Sequence, residues 1–322
     1  MSKKKARRPS RTPKQAPSSP DELDRRGMEK AMADIHKLLQ SREFSSIDEM
    51  NTFLRDALAT GQPQPIPTSQ TALEQAQDLM YRAWDAHGAQ RVRLARKALE
   101  IAPDCADAYV LLAEETAQTP QQARDLYQQG VQAGERAIGP QDFQEFVGHF
   151  WGILETRPYM RARAGLAQVL WFLGEKQPAI DHATELLRLN PGDNQGIRYL
   201  LVNWLLETHN DTALEALLNQ YPDDAMATWL YTRVLVAFRQ HGASRKAETL
   251  LEKALGHNPF VPQYLLGHKK LPKHPPAFIG FGDENEAVEY AFAALPIWHK
   301  DGAALEWLRQ FTAKRGSQPG IH

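Results

Sequence analysis

An all-α helical-repeat solenoid, with extra helices at the N-terminus and a helical cap at the C-terminus, is the fold this sequence predicts. Three observations carry that expectation. From about residue 71 one stretch of helix-period apolar spacing follows another, with almost no strand signal. Prolines punctuate the pattern just after helical runs: Pro103 in ALEIAPDCADAYVLLAEE, Pro191 in ELLRLNPGDNQGIRYLL and Pro259 in KALGHNPFVPQYLL. Pro191 and Pro259 are 68 residues apart, which is twice 34, the period of the tetratricopeptide helix-turn-helix unit. Such units must stack, because none can bury its apolar face alone. Small residues keep the same register. Ala179 and Ala247 stand twelve residues before their prolines, and Ala98 and Ala254 five before theirs, where paired helices approach closely; Leu186 fills that slot in the middle unit.

Taken in chain order, residues 1–20 hold seven Lys or Arg, no acid and several prolines. A segment without apolar residues cannot bury a core, so a disordered basic tail is predicted there. An N-terminal helical pair is predicted over 21–61. Its first member aligns Met28, Met32, Ile35 and Leu38/Leu39 at helical spacing, and its second starts at the N-cap Ser46 and stops at Gly61. QPQPIPT makes 62–70 a linker. Repeats then fill 71–260, roughly as 71–104, 105–134, 159–192, 193–225 and 226–260.

Pro103 and Pro191 are 88 residues apart, two periods plus 20, so an insertion is predicted at about 135–155. It contains Phe143, Phe146, Phe150 and Trp151. Clustered aromatics at helical spacing are more often buried than exposed, which favours a helical segment sealing the seam between repeats over a wedge for a partner. Pro158 suits the first turn of the helix that follows. After Pro259, LPKHPPAFIGFGDE is too rich in proline and glycine for a helix. ENEAVEYAFAALPIWHKDGAALEWLRQF then reads as two helices meeting near Pro296, and 261–313 becomes a capping region before a disordered 314–322.

Composition narrows function more than it defines it. The net charge is -1, yet outside the tail 31 basic side chains face 39 acidic ones, so nucleic acid is expected only through residues 1–20, in the alternative reading of an RNA- or ribosome-associated factor. Cys105 is the single cysteine, which excludes an intramolecular disulfide and a cysteine-based zinc site. No run of 18 apolar residues and no signal peptide is visible, so the chain reads as cytoplasmic. His268 and His274 lack the spacing of a metal site, Gly280-Phe281-Gly282 lacks the strand and helix of a nucleotide loop, and Cys105 lacks a base. No metal and no cofactor are expected, and the function is read as non-catalytic.

In a tetratricopeptide array the first helix of each repeat lines the concave face. That places Arg161, Gln168 and Trp171, then Arg198 and Tyr199, then Trp229, Arg233 and Arg239 as candidate partner-binding residues. Arginine forks beside aromatic faces suit a protein or peptide partner that is acidic, with an aromatic or apolar anchor. The structural alternative is that the arginines bridge neighbouring repeats and the cap fills the groove. His149, Trp151, Glu155 and Arg157 form a second candidate patch. It reads as a seam network in which Glu155 pairs with an arginine, as a ligand contact, or, in the enzyme alternative, as an unfamiliar site around His149, Glu155 and Arg157.

IRYLLVNWLLETHNDTALEALLNQY, NPFVPQYLLGHKKLP and ENEAVEYAFAALPIWHKDGAALEWL resemble the C-terminal region of the suppressor-of-tumorigenicity-seven proteins. GHFWGILETRPYMRARAGLAQVLW is similar to bacterial tetratricopeptide proteins that share this region, and together the likeness covers roughly residues 70–311. Ordinary repeats do not require VPQYLLG or the paired Trp298 and Trp307. The resemblance implies a helical repeat scaffold and brings no catalytic residue with it. Animal members are predicted to carry N-terminal membrane segments, which this sequence does not show.

Overall fold

The computed structural model describes residues 20–40, 42–59 and 70–316. The expectations for the basic tail and the linker, and for most of the C-terminal tail, therefore lie outside the described residues. Within them all regular structure is helical, in sixteen α-helices and two 3₁₀ turns. The chain divides into two compact units, Met1–Gln195 and Gly196–His322.

The first unit opens with α1 (Pro20–Gln40) and α2 (Ile47–Ala59). Three helix pairs follow: α3 (Ala72–Asp85) with α4 (Ala89–Ile101), α5 (Ala106–Thr116) with α6 (Pro120–Ile138), and α8 (Arg157–Phe172) with α9 (Lys176–Leu189). Their ends are written locally. Thr71 and Glu74 form a reciprocal capping box that starts α3, Thr119 accepts from the Gln122 N–H ahead of α6, and Gly139 stops α6 at φ 79°. Ala95, Ala98, Ala179 and Ala183 are buried where the paired helices meet, so the small residues sit at close contacts.

The surplus residues leave the succession of pairs unbroken, because α6 packs directly on α8. Glycine permits that approach: a Cβ on Gly134 would lie 2.7 Å from Tyr159 Cβ. The insertion is less regular than its spacing predicts. It forms the short α7 (Pro140–Glu145) and two 3₁₀ turns, Phe150–Gly152 and Leu154–Thr156, with Gly148 at φ 91° ending the helical run. Phe150 is fully buried, and its ring centroid lies 5.0 Å from Phe143 and 5.9 Å from Tyr159. Phe146 and Trp151 are half-buried.

In α1 the apolar residues at helical spacing do not share one environment: Met28 and Met32 are 59% and 45% exposed, Ile35, Leu38 and Leu39 are half-buried, and Glu29 is 4% exposed. Glu29, Ala33 and Lys37 share the face that meets the repeats. The cause is a pair of arginines below Glu29, Arg157 and Arg161.

In the second unit α10 (Ile197–Glu207) pairs with α11 (Asp211–Gln220) and α12 (Ala227–His241) with α13 (Arg245–His257). After α14 (Val261–Leu265) come α15 (Glu284–Lys300) and α16 (Gly302–Gly316). The predicted break at Pro296 does not occur, since α15 runs through that proline and ends at Asp301. A proline removes one N–H donor, which an exposed helix face tolerates, whereas Asp301 offers an alternative start by accepting from the Ala304 N–H at 3.3 Å. α15 lies against α10 and α12. Trp229, Tyr231, Tyr290 and Trp298 are the large buried rings, and the Trp298 indole donates to the Tyr290 hydroxyl at 2.8 Å.

Because Phe150 is enclosed and Phe146 is not, Phe150→Ala should lower the unfolding free energy in urea by about 3–5 kcal/mol, with a smaller loss for Phe146→Ala.

Candidate partner-binding site

Arg161, on the second turn of α8, is the centre of the first unit's candidate site. Its Nε and one Nη meet the two oxygens of Asp107 on α5 at 2.7 and 2.6 Å. Its two Nη groups also reach the two oxygens of Glu29 on α1, at 2.9 and 3.0 Å. Asp107 is completely buried, and the Glu29 side chain is 5% exposed. Burial opposes the Arg161 cation, but Asp107 and Glu29 outweigh it and hold the guanidinium well above the usual arginine range.

Neighbouring groups complete the cluster. Gln77 donates to Asp107 at 2.8 Å, and Arg157 lies 3.4 Å from Glu29 while donating to the Trp151 carbonyl at 2.9 Å. Trp84 offers a ring face to Arg161 at 5.2 Å and to Arg26 of α1 at 4.6 Å. Burial, with Glu29 and Asp107 adding to it, pushes the Tyr81 hydroxyl far up its range. Beside the cluster a cavity of about 290 Å³ opens between α1, α3 and the insertion, with Ala33, Tyr81, Leu154 and Pro158 among its walls.

The second patch is drawn apart by this arrangement. Among the described residues Glu155 pairs with no arginine; it is 64% exposed and faces His36 at 4.0 Å, while Glu29 takes Arg157. The seam network predicted around Glu155 is therefore built on Glu29 instead, a residue 128 positions from Arg157. His149 is exposed and Trp151 stacks with Arg157 at 5.4 Å. Gln168 is exposed, and Trp171 is half-buried beneath the Lys176 ammonium at 4.7 Å.

In the second unit the remaining candidates also meet acceptors of their own chain. Arg198 donates to Asp224 at 2.8 Å, and the Tyr199 hydroxyl donates to the same carboxylate at 2.8 Å. Burial first, then Asp224, pushes the Tyr199 hydroxyl up to about 12. Arg233 donates to the Leu218 carbonyl, and Arg239 donates to Asp301 at 3.0 Å. Trp229 is fully enclosed, its ring 5.8 Å from Tyr199 and 6.0 Å from Tyr221, so it packs the core.

A further cluster had no signal in single-residue patterns. Glu286 on α15 is 2% exposed and accepts from the Ala227 N–H at 2.9 Å, the Gly282 N–H at 2.9 Å and the Asn258 amide at 2.8 Å, with His257 Nε2 at 2.9 Å. Asn258 also donates to the Asp283 carbonyl at 2.8 Å, accepts from the Phe260 N–H at 3.1 Å, and through its carbonyl accepts from Tyr231 at 2.6 Å. The asparagine-proline dipeptide thus ties α13 to α12 and α15. Only its position after a helix was visible beforehand. Among the described residues no group of three or more His, Cys, Asp or Glu is placed to hold a metal ion. Cys105 is buried, and burial pushes its thiol up to about 12.

An all-helical, repeat-like architecture whose terminal helices bring buried glutamates onto the paired helices is the class that fold and site define. The chain belongs to the suppressor of tumorigenicity 7 family: the family profile described as "ST7 protein" matches residues 49–314. It is 31% identical over 260 residues to the "Suppressor of tumorigenicity 7 protein-like" of Bos taurus, covering 74% of this chain and 47% of that protein. The human protein of the same name is also 31% identical over 260 residues, with 74% and 45% covered. The "Suppressor of tumorigenicity 7 protein" of Macaca fascicularis is 29% identical over 283 residues, with 73% and 52% covered. The chain spans about half the length of these relatives. Among the described residues no helix is long and apolar enough to cross a membrane.

Removing the shared cation strands two buried carboxylates. Arg161→Ala should therefore destabilise the chain by about 3–5 kcal/mol in urea titrations, and Glu29→Gln, which keeps shape and an acceptor, by clearly less. A separate pH effect belongs to His182 on α9, whose pKa burial and then Arg163 lower from 6.5 to about 4. The unfolded chain takes up a proton there that the folded chain refuses, so stability falls as pH drops from about 6.5 toward 4. His182→Asn should flatten that part of the urea midpoint profile against pH.

Proposed function

We propose that the protein is a non-catalytic, cytoplasmic scaffold of tetratricopeptide-type repeats that holds a segment of a protein partner, acidic with an apolar anchor. The observation that carries this reading is α1 itself. The face formed by α3, α5 and α8 holds a helix whose buried acid sits on Arg157 and Arg161, whose Arg26 lies over the Trp84 ring and whose Ala33 packs against the cluster that contains Tyr81 and Trp84. That is the recognition chemistry the arginine and aromatic pattern implies, supplied in this case by the chain's own N-terminal helix.

The repeat assignment has its own support. Pro103, Pro191 and Pro259 follow α4, α9 and α13, and Ala98, Ala179, Ala247 and Ala254 are all buried where the second helices pack. Placement in the cytoplasm rests on the single, buried cysteine, which suits a reducing compartment. A partner helix carrying one acid in the place of Glu29 would compete with α1 for the arginines, so the affinity seen from outside is reduced by the fraction of time α1 is docked.

A synthetic peptide of residues 20–40, fluorescently labelled, tests this in the full-length chain. Anisotropy should show saturable binding that is at least tenfold tighter to the Glu29→Ala variant than to the unchanged chain, since that substitution weakens the resident helix. Adding Arg157→Ala to Glu29→Ala should abolish it. Equal binding by the unchanged chain and both variants would remove the groove as a binding site.

A further inference from the structure

Three exposed large apolar side chains lie together in one short loop of the second unit. Phe278, Ile279 and Phe281 are 72%, 44% and 69% exposed within four consecutive residues. The loop is held in this shape. Gly280 N–H donates to Asp283 at 2.8 Å, Gly282 N–H donates to the buried Glu286 at 2.9 Å, and Asn285 donates to the Phe278 carbonyl at 3.0 Å. The edge of Phe281 also meets His257, with ring centroids 4.3 Å apart. Apolar rings held out toward water by side chains dedicated to the backbone beneath them are arranged for contact with something else.

Charge says what that something is. Residues 268–282 contain His268, Lys269, Lys270, Lys273 and His274 and no acid. Lys270 and Lys273 are exposed and make no ion pair among the described residues. The acids that follow are occupied: Asp283 caps α15, Glu284 accepts from Lys269 and Tyr264 at 2.6 Å each, and Glu286 is buried. An apolar tip with unpaired lysines just before it matches the layering of a lipid leaflet, where anionic headgroups overlie an apolar zone. The backbone adds a reason. Three of the tip's backbone polar groups are already bonded to side chains of α15 and its cap, which lowers the cost of partial entry into a medium with little water.

We propose that residues 268–282 form a peripheral membrane-docking tip, with Phe278, Ile279 and Phe281 entering the interfacial zone of an anionic bilayer and Lys270 and Lys273 resting on its headgroups. The attachment is interfacial and reversible, with three side chains inserted and no helix crossing. It is independent of the partner groove in the first unit.

The single native cysteine makes the test specific. Cys105 is buried with a raised pKa, so Ala277→Cys in the full chain gives one reactive thiol beside the tip for an environment-sensitive dye. With vesicles of phosphatidylcholine and phosphatidylserine the dye emission should shift to the blue and the protein should co-sediment. Phe278→Ser with Phe281→Ser should abolish the shift. Lys270→Gln with Lys273→Gln should weaken vesicle binding about thirtyfold, at roughly fivefold per lysine. Because the changed side chains are exposed, circular dichroism should be the same for all variants. Co-sedimentation without a dye shift would mean that the basic residues 1–20 or another surface carries the contact, and the proposal fails. It fails equally if no vesicle binding is seen, or if the dye shifts with protein concentration alone, which would show that a second copy covers the tip.

Discussion

A guanidinium removed from water must have carboxylates beside it, and in the first unit Arg161 meets that demand with Asp107 from α5 and Glu29 from α1. The pairing decides which way α1 faces, since turning Met28 and Met32 inward would leave Glu29 away from both arginines and Arg161 with one carboxylate. Exposing part of two methionines costs less than stranding one buried charge. Position within the stack follows from the same contact. With Met28 and Met32 turned to water, α1 is fastened by a charge network to α5 and α8, and the insertion supplies the Trp151 carbonyl that holds Arg157 in place.

The second unit answers a similar demand from the other end of the chain. Glu286 of α15 is enclosed, and it is tolerated because two backbone N–H groups, the Asn258 amide and His257 surround it. In each unit, considered by itself, a helix outside the paired set brings a glutamate onto groups that the pairs leave unsatisfied. Such contacts are strongly selective for geometry, and this gives the NPF segment a physical role: its asparagine is a connector with bonds to three elements.

That selectivity bears on function. Under the proposed partner binding, a surface whose arginines are already engaged by the chain's own acids would not bind acids indiscriminately; an incoming segment would have to match the resident helix closely enough to replace it. The apolar loop before α15 differs in kind. Its rings are largely exposed, and hydrogen bonds with Asp283, Asn285 and Glu286 stiffen it, so the docking proposed for it would need little further ordering.

Local chemistry was readable from the sequence alone. The helical class, the pairs punctuated by Pro103, Pro191 and Pro259, the buried alanines, the aromatic insertion and the non-helical FIGF loop all follow from period, caps and breakers, which act within a few residues. Arg161 was also legible as a significant position, because its place in the repeat follows from counting. What it binds was not. Glu29 lies 132 residues away and Asp107 54, and no local spacing relates them. The same limit explains the misplaced break at Pro296 and the arginine pairing expected of Glu155: each was a choice between local options that a long-range contact resolved. Tertiary structure alone decided which charges are buried together, because the cost of an unpaired buried charge is set by whatever folds against it, and the sequence neighbourhood does not contain that information.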